Sequence, residues 1–159
     1  MAVWQISIQF IPRKWAEEND FKTNRLFSKE GFDTKCAWEN NQPTEELLPL
    51  FSAILPPAKS WADDLTLWGD DKRHEISLWQ KDGKIISIGF RLDLRENISV
   101  LLNNLCKAAN GLDCLFFIPE HEVIVKPNLF ELKSYIQQSN AAKFVSDPEG
   151  FLNEIFEQE

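Results

Sequence analysis

The chain is poor in the residues that most chemistry depends on: six Gly, three Cys and two His in 159 residues. So few glycines leave little room for a backbone cradle around a phosphate or cofactor, and no Gly-rich phosphate loop is present. Nor is there a strand-to-helix nucleophile elbow around a serine or a local Cys–His signature. The cysteines, Cys36, Cys106 and Cys114, form no metal-ligand spacing, and an odd count suits a secreted disulfide framework poorly. Cys106 and Cys114 lie in apolar surroundings and read as small buried hydrophobes. No apolar run approaches the about 18–20 residues of a membrane span. The first residues, Met1 to Ile6, lack the basic start and apolar core of a signal peptide, which points to a cytoplasmic protein. Basic runs are missing as well, Arg13-Lys14 and Lys72-Arg73 being the only adjacent pairs. With a net charge of −8, that absence argues against binding nucleic acid or an anionic membrane.

What is present is apolar and aromatic. Hydrophobic residues make up 43% of the chain and aromatic residues 12%, including six Trp and twelve Phe. That content excludes general disorder, and the length suits one domain with a substantial core. The negative charge is concentrated late: residues 119–159 carry three Lys or Arg against eight Asp or Glu. Such a field would keep the protein soluble, and it would also steer a basic protein partner at low salt.

Alternation over residues 3–11, with Trp4, Ile6, Ile8 and Phe10 on one side, predicts a half-buried strand ended by Pro12. Residues 13–43 are polar and irregular but carry five aromatics. A structureless stretch of that length is uncommon inside a domain, so a short element, a covering layer or a lid is expected there. Thr44 offers a helix N-cap ahead of Leu47, Leu50, Phe51 and Ile54, with Pro49 keeping that helix short or kinked. Residues 63–95 give the strongest pattern, a three-stranded antiparallel meander with Leu65/Leu67, Ile76/Leu78 and Ile86 to Leu94 each repeating in twos. Matching the apolar faces places Leu67 opposite Ile76 across a four-residue turn, Asp70 to Arg73. It also favours a three-residue loop, Lys81-Asp82-Gly83, over a two-residue Asp82-Gly83 turn. The opposite face then carries Asp64, Thr66, Trp68, Glu75, Ser77, Trp79, Gly89 and Arg91, with Trp68 able to lie across Gly89. Helices follow after Asn97, Pro127-Asn128 and Asp147-Pro148, the last burying Phe151, Leu152, Ile155 and Phe156. Leu115 to Ile118 reads as a strand buried on both faces, and Val123 to Val125 as another short strand. Together these predict a single α+β domain over residues 1–159, with a mostly antiparallel sheet and helices on one face.

Candidate chemistry is sparse. His74 and His121 each adjoin a glutamate and fall at turns; they read as solvated histidines before they read as bases or metal ligands. Asp63-Asp64 and Asp70-Asp71 bracket a strand without the Gly and closing Glu of a calcium loop. Arg91, Asp93 and Arg95 project from one strand face about 6–7 Å apart, either clasping an anion or bridging the sheet edge. No metal and no cofactor is expected. The tryptophans are more informative: Trp61, Trp68 and Trp79 fall at or on the polar face of the meander, where aromatic rings mark either a binding hot spot or a second covering layer.

The stretches Ser60-Trp61-Ala62-Asp63-Asp64, Trp68-Gly69-Asp70, Asp82-Gly83-Lys84, Arg91-Leu92-Asp93-Leu94-Arg95 and Asp113-Cys114 resemble a family of small uncharacterised bacterial proteins. Ala142-Lys143-Phe144-Val145 with Asp147-Pro148 extends the resemblance, which spans about residues 60–152. Proteins of this size and acidity are similar to immunity proteins, which neutralise a toxin by binding it. The resemblance implies a non-catalytic binding module whose partner is a protein, such as a basic toxin domain. The expected contact residues are Trp61, Asp63, Asp64, Trp68, Asp70, Asp71, Trp79, Arg91, Asp93 and Arg95. Two alternatives stay open: a small enzyme or ligand-binding protein with a pocket converging on Arg91, Arg95 and His74, and a structural subunit of an assembly of unknown stoichiometry.

Overall fold

The computed structural model describes residues 1–157, with side chains through residue 153. Seven antiparallel strands form one sheet. In chain order its members are β1 (Gln5–Pro12), β4 (Pro57–Ala58), β5 (Leu65–Gly69), β6 (Glu75–Lys81), β7 (Lys84–Asp93), β8 (Cys114–Ile118) and β9 (Val123–Val125). Across the sheet they run β4-β5-β6-β7-β1-β8-β9, so the N-terminal strand is central and the expected meander makes up one half. A small separate hairpin pairs β2 (Phe27–Ser28) with β3 (Gly31–Phe32). The helices are α1 (Arg13–Glu18), α2 (Lys35–Trp38), α3 (Leu47–Ser52), α4 (Ser99–Gly111), α5 (Leu129–Gln137), α6 (Asn140–Ser146) and α7 (Pro148–Glu157). The fold is α+β, as the sequence predicts.

Period-two alternation sends Ile6, Ile8 and Phe10 of β1 to one face, where Phe10 meets Phe51, Phe90 and Phe116 edge-on at 5.2–5.8 Å. Helices α3 and α4 cover this face, and Leu102, Leu105 and Phe51 join its core. The other face is covered only in part. Over β8, Phe27 and Phe32 of the small hairpin pack edge-on against Phe117. Thr34 donates to the Ile86 carbonyl, and Gln42 both donates to and accepts from the Ile85 backbone, tying residues 13–43 to β7. The polar segment is therefore a covering layer with short elements of its own, one of the outcomes its length allowed.

Several local expectations hold. Asn128 Oδ1 accepts from the Glu131 amide at 2.8 Å and caps α5, and Asp147 Oδ1 accepts from Gly150 at the start of α7. Cys106 and Cys114 are buried, and burial pushes their thiols up to about 11 and about 12. All five residues of β8 are buried.

Others are corrected. Helix α3 starts at Leu47 and Thr44 does not cap it, which places Pro49 in the tolerated first turn. Trp4 is not core: it is half-buried, donates to the Lys72 carbonyl and carries the Arg95 guanidinium 3.9 Å above its ring. Phe151 is half-buried against Phe144 while Leu152 is exposed; Ile155 and Phe156 lie outside the described side chains. The second hairpin has a two-residue turn, Lys81 pairing with Lys84, and both Asp82 (φ 53°) and Gly83 (φ 76°) are left-handed. That is the backbone of a type I′ turn, whose twist matches the strands it joins. A bulge between Trp79 and Gln80 on the one side and Ile85 and Ser87 on the other restores the facing of Leu78 with Ile88, which the longer loop was invoked to achieve.

Candidate partner-binding groove

The register between β5 and β6 creates the site. Strand β5 pairs with β6 one residue away from the expected register: Trp68 faces Ile76, and Gly69 faces Glu75. Because side chains alternate, a slip of one exchanges the two faces of the whole strand. Trp68 turns into the core, 1% exposed, against the Phe51 ring at 5.3 Å, with its Nε1 donating to Ser52 Oγ at 3.0 Å. Leu65 and Leu67 turn to the opposite face, buried there but apart from the main core.

The connection explains the slip. It has five residues, Asp70 to His74, closed by Asp70 N donating to the His74 carbonyl. Asp70 Oδ1 accepts from the Lys72 amide. Gly69 adopts φ +88°, and a Cβ there would stand 2.1 Å from the His74 carbonyl oxygen. The N-terminal segment holds the turn from outside: Gln5 Nε2 donates to the carbonyls of Asp71 and Arg73, and Trp4 Nε1 to that of Lys72.

On the face opposite the main core, one row of paired residues reads Ala58, Leu67, Ser77, Gly89, Gln9, Phe117 across the sheet. Its middle is made of small side chains, with Gly89 covered by the Gln9 amide, not by Trp68. The flanking rows carry bulk: Leu65 and Trp79 on one side, Glu75 and Arg91 on the other. The result is a groove of about 590 Å³ over β4 to β7. A second cleft of about 220 Å³ shares Ser77, Trp79 and Arg91 with it and ends against Phe32, Asp33 and Thr34 of the covering layer. Trp61 stands at the rim, 76% exposed, its ring edge-on to Trp79 at 5.5 Å.

Of the residues singled out from sequence, Trp61, Trp79, Asp70, Asp71 and Arg91 line this groove. Asp63 and Asp64 are exposed at the loop preceding β5 and do not line it. Trp68 belongs to the core and is withdrawn as a surface anchor. Asp93 is fully buried, where its carboxylate accepts from Arg95 Nε and Nη2 and from the Arg95 amide. Burial acts to raise its pKa, but the Arg95 guanidinium and amide together outweigh burial and hold it below the usual carboxylate range. Thus Asp93 and Arg95 are a structural pair, Arg95 stacking on Trp4.

His74 ends the turn as expected but is not solvated, its side chain being mostly buried. Its Nδ1 accepts from the Asp93 amide at 2.9 Å and its Nε2 lies 3.2 Å from Glu96 Oε2, an arrangement that fixes the Nε2–H tautomer. With His74 and Arg95 bound elsewhere, the three groups required for an Arg91/Arg95/His74 pocket do not converge. His121 packs edge-on to Tyr135 at 5.3 Å, away from the groove. No cluster of three or more His, Cys, Asp or Glu positioned to hold a metal occurs among the described residues, and none of their helices is long and apolar enough to cross a membrane.

Sequence reasoning missed Glu75, Leu65, Leu67 and Ala58 as groove residues. Period alone assigned the leucines to the core, and β4 is too short to show a pattern. The one legible signal was Gly69, next to the turn that sets the register. Compared with protein-family models, curated proteins and solved structures, the chain matches none of them.

Proposed function

We propose that this protein is a non-catalytic binding module whose partner is another protein, and that within this class it acts as an immunity protein, occluding a bacterial toxin. One observation carries the reading: a sheet packed on one face is left open over half of the other, with an exposed Trp61 beside Trp79 above a groove. Trp61 and Trp79 together give this groove an aromatic rim, of which Trp61 is three-quarters in water and free to meet a partner. Tryptophans with charged neighbours are enriched among the anchors of protein interfaces. Asp70 and Asp71 at the groove mouth and the net charge of −8 favour a basic partner. The mechanism is occlusion, in which the partner's functional surface is buried against β5, β6 and β7.

The test is co-expression and co-purification with the polypeptide encoded next to it. Rescue of growth from that polypeptide, together with a stable complex weakened by Trp79→Ala, supports the reading. A toxic neighbour that this chain neither binds nor relieves contradicts it.

A further inference from the structure

Glu75 lies on the groove floor with its side chain nine-tenths buried. It accepts no hydrogen bond from any described side chain, and the nearest cation, Arg91 Nη1, stops at 3.9 Å, beyond hydrogen-bond distance. Burial has stripped most of the water from this side chain, and its carboxylate meets only the groove solvent, with no protein donor in place of what was lost. Around it stand the indoles of Trp79 and Trp61, the carboxylates of Asp70 and Asp71 at the mouth, and the cations Lys59 and Arg91.

Resting on the docking proposed above, we infer that the groove receives an arginine side chain of the partner, its guanidinium forked onto the Glu75 carboxylate and its flat face against an indole. Arginine fits better than lysine because its planar fork matches two carboxylate oxygens and its weakly hydrated face stacks on aromatic rings. The arginine belongs to a polypeptide and not to a free small cation, because the groove far exceeds one guanidinium. Its remaining floor, Leu65, Leu67 and Ala58, is apolar, and the adjoining cleft continues it past Ser77. An extended segment carrying the arginine fills that length. Arg91, 39% exposed and only loosely held, is the occupant of Glu75 that the incoming guanidinium displaces.

The probe is acetyl-Gly-Ser-Arg-Ser-Gly-amide, titrated into the intact chain while the indole N–H resonances are followed. Trp61 and Trp79 are expected to shift saturably, and Trp68, an internal control for folding, to stay in place. The citrulline peptide, neutral but of the same shape, is expected to bind about tenfold more weakly, and so is the arginine peptide to Glu75→Gln. Arg91→Gln removes the competing cation and is expected to tighten binding several-fold. Equal binding of the citrulline peptide, undiminished binding to Glu75→Gln, loss of binding in Arg91→Gln, or no shift at either indole each overturns the inference. Arginine amide binding as tightly as the peptide would overturn the polypeptide origin and make this a small-cation site. The partner protein separates the two readings: a complex weakened by Trp79→Ala but not by Glu75→Gln leaves docking in place and removes the arginine. A complex indifferent to both removes docking itself.

Discussion

Trp68 and Trp79 stand on neighbouring strands, yet one is sealed against Phe51 and the other lines an open groove. Their substitutions separate accordingly. Trp68→Ala empties a fully buried site and is expected to cost about 3–5 kcal/mol in urea unfolding. Trp61→Ala, at a residue mostly in water, is expected to stay within about 0.5 kcal/mol of the parent. Two carboxyls on one side of the sheet have opposite pH signatures. Asp93, held below its ordinary value, contributes stability that is present above the usual carboxylate pKa and lost as the pH falls through its folded pKa. Glu75, raised chiefly by burial, contributes in the reverse sense: its favourable share is complete below the usual carboxylate pKa and disappears as the pH rises through its folded pKa. Hence Asp93→Asn is expected to destabilise at neutral pH and flatten the acid limb of a stability–pH curve. Glu75→Gln is expected to match or exceed the parent at pH 7. Unfolding midpoints measured across the acid range check both. The Arg91-Asp93-Arg95 spacing already offered an Asp93 bridge as one reading, but the burial of Asp93 and of Glu75, and the lack of a close donor at Glu75, were not legible before the register was known.

At the scale of elements, what the period shows and what it omits are both visible in the meander. Alternation locates β5, β6 and β7 and correctly joins the faces of β6 and β7, with the Asp82-Gly83 turn and one bulge settling the register. It misplaces the faces of β5, because it turns Leu65 and Leu67 inward where the structure turns Thr66 and Trp68. Gly69 decides between the two pairs. Gly69→Ala would both strain a left-handed backbone and drive a methyl into the His74 carbonyl. It is expected to cost more than the about 1–2 kcal/mol of the backbone conformation alone, and to disturb the groove. Gly83→Ala, with open space around it, is expected to cost only about 1 kcal/mol. Chemical denaturation of the two variants makes the comparison directly. Residues 13–43 resisted reading for a related reason: their elements are shorter than a recognisable period, and tertiary bonds such as Gln42 to the Ile85 backbone hold them in place.

At the scale of the molecule, one sheet has a face closed by α3 and α4 and a face closed only over β8 and part of β1 and β7. The net charge suits plain solubility as well as a basic protein partner, and it favoured no surface, since most of the excess lies in the C-terminal quarter. The open half-face, which presents aromatic rings, an unbonded buried carboxylate and an acidic mouth together, is the better candidate for the contact. The measurement that tests this most directly is the response of the six indole N–H resonances to a saturating protein partner. Trp61 and Trp79 are expected to shift or broaden on complex formation while Trp15, Trp38 and Trp68, all buried, hold their positions. A saturated complex in which Trp61 and Trp79 do not respond would contradict the assignment of this face.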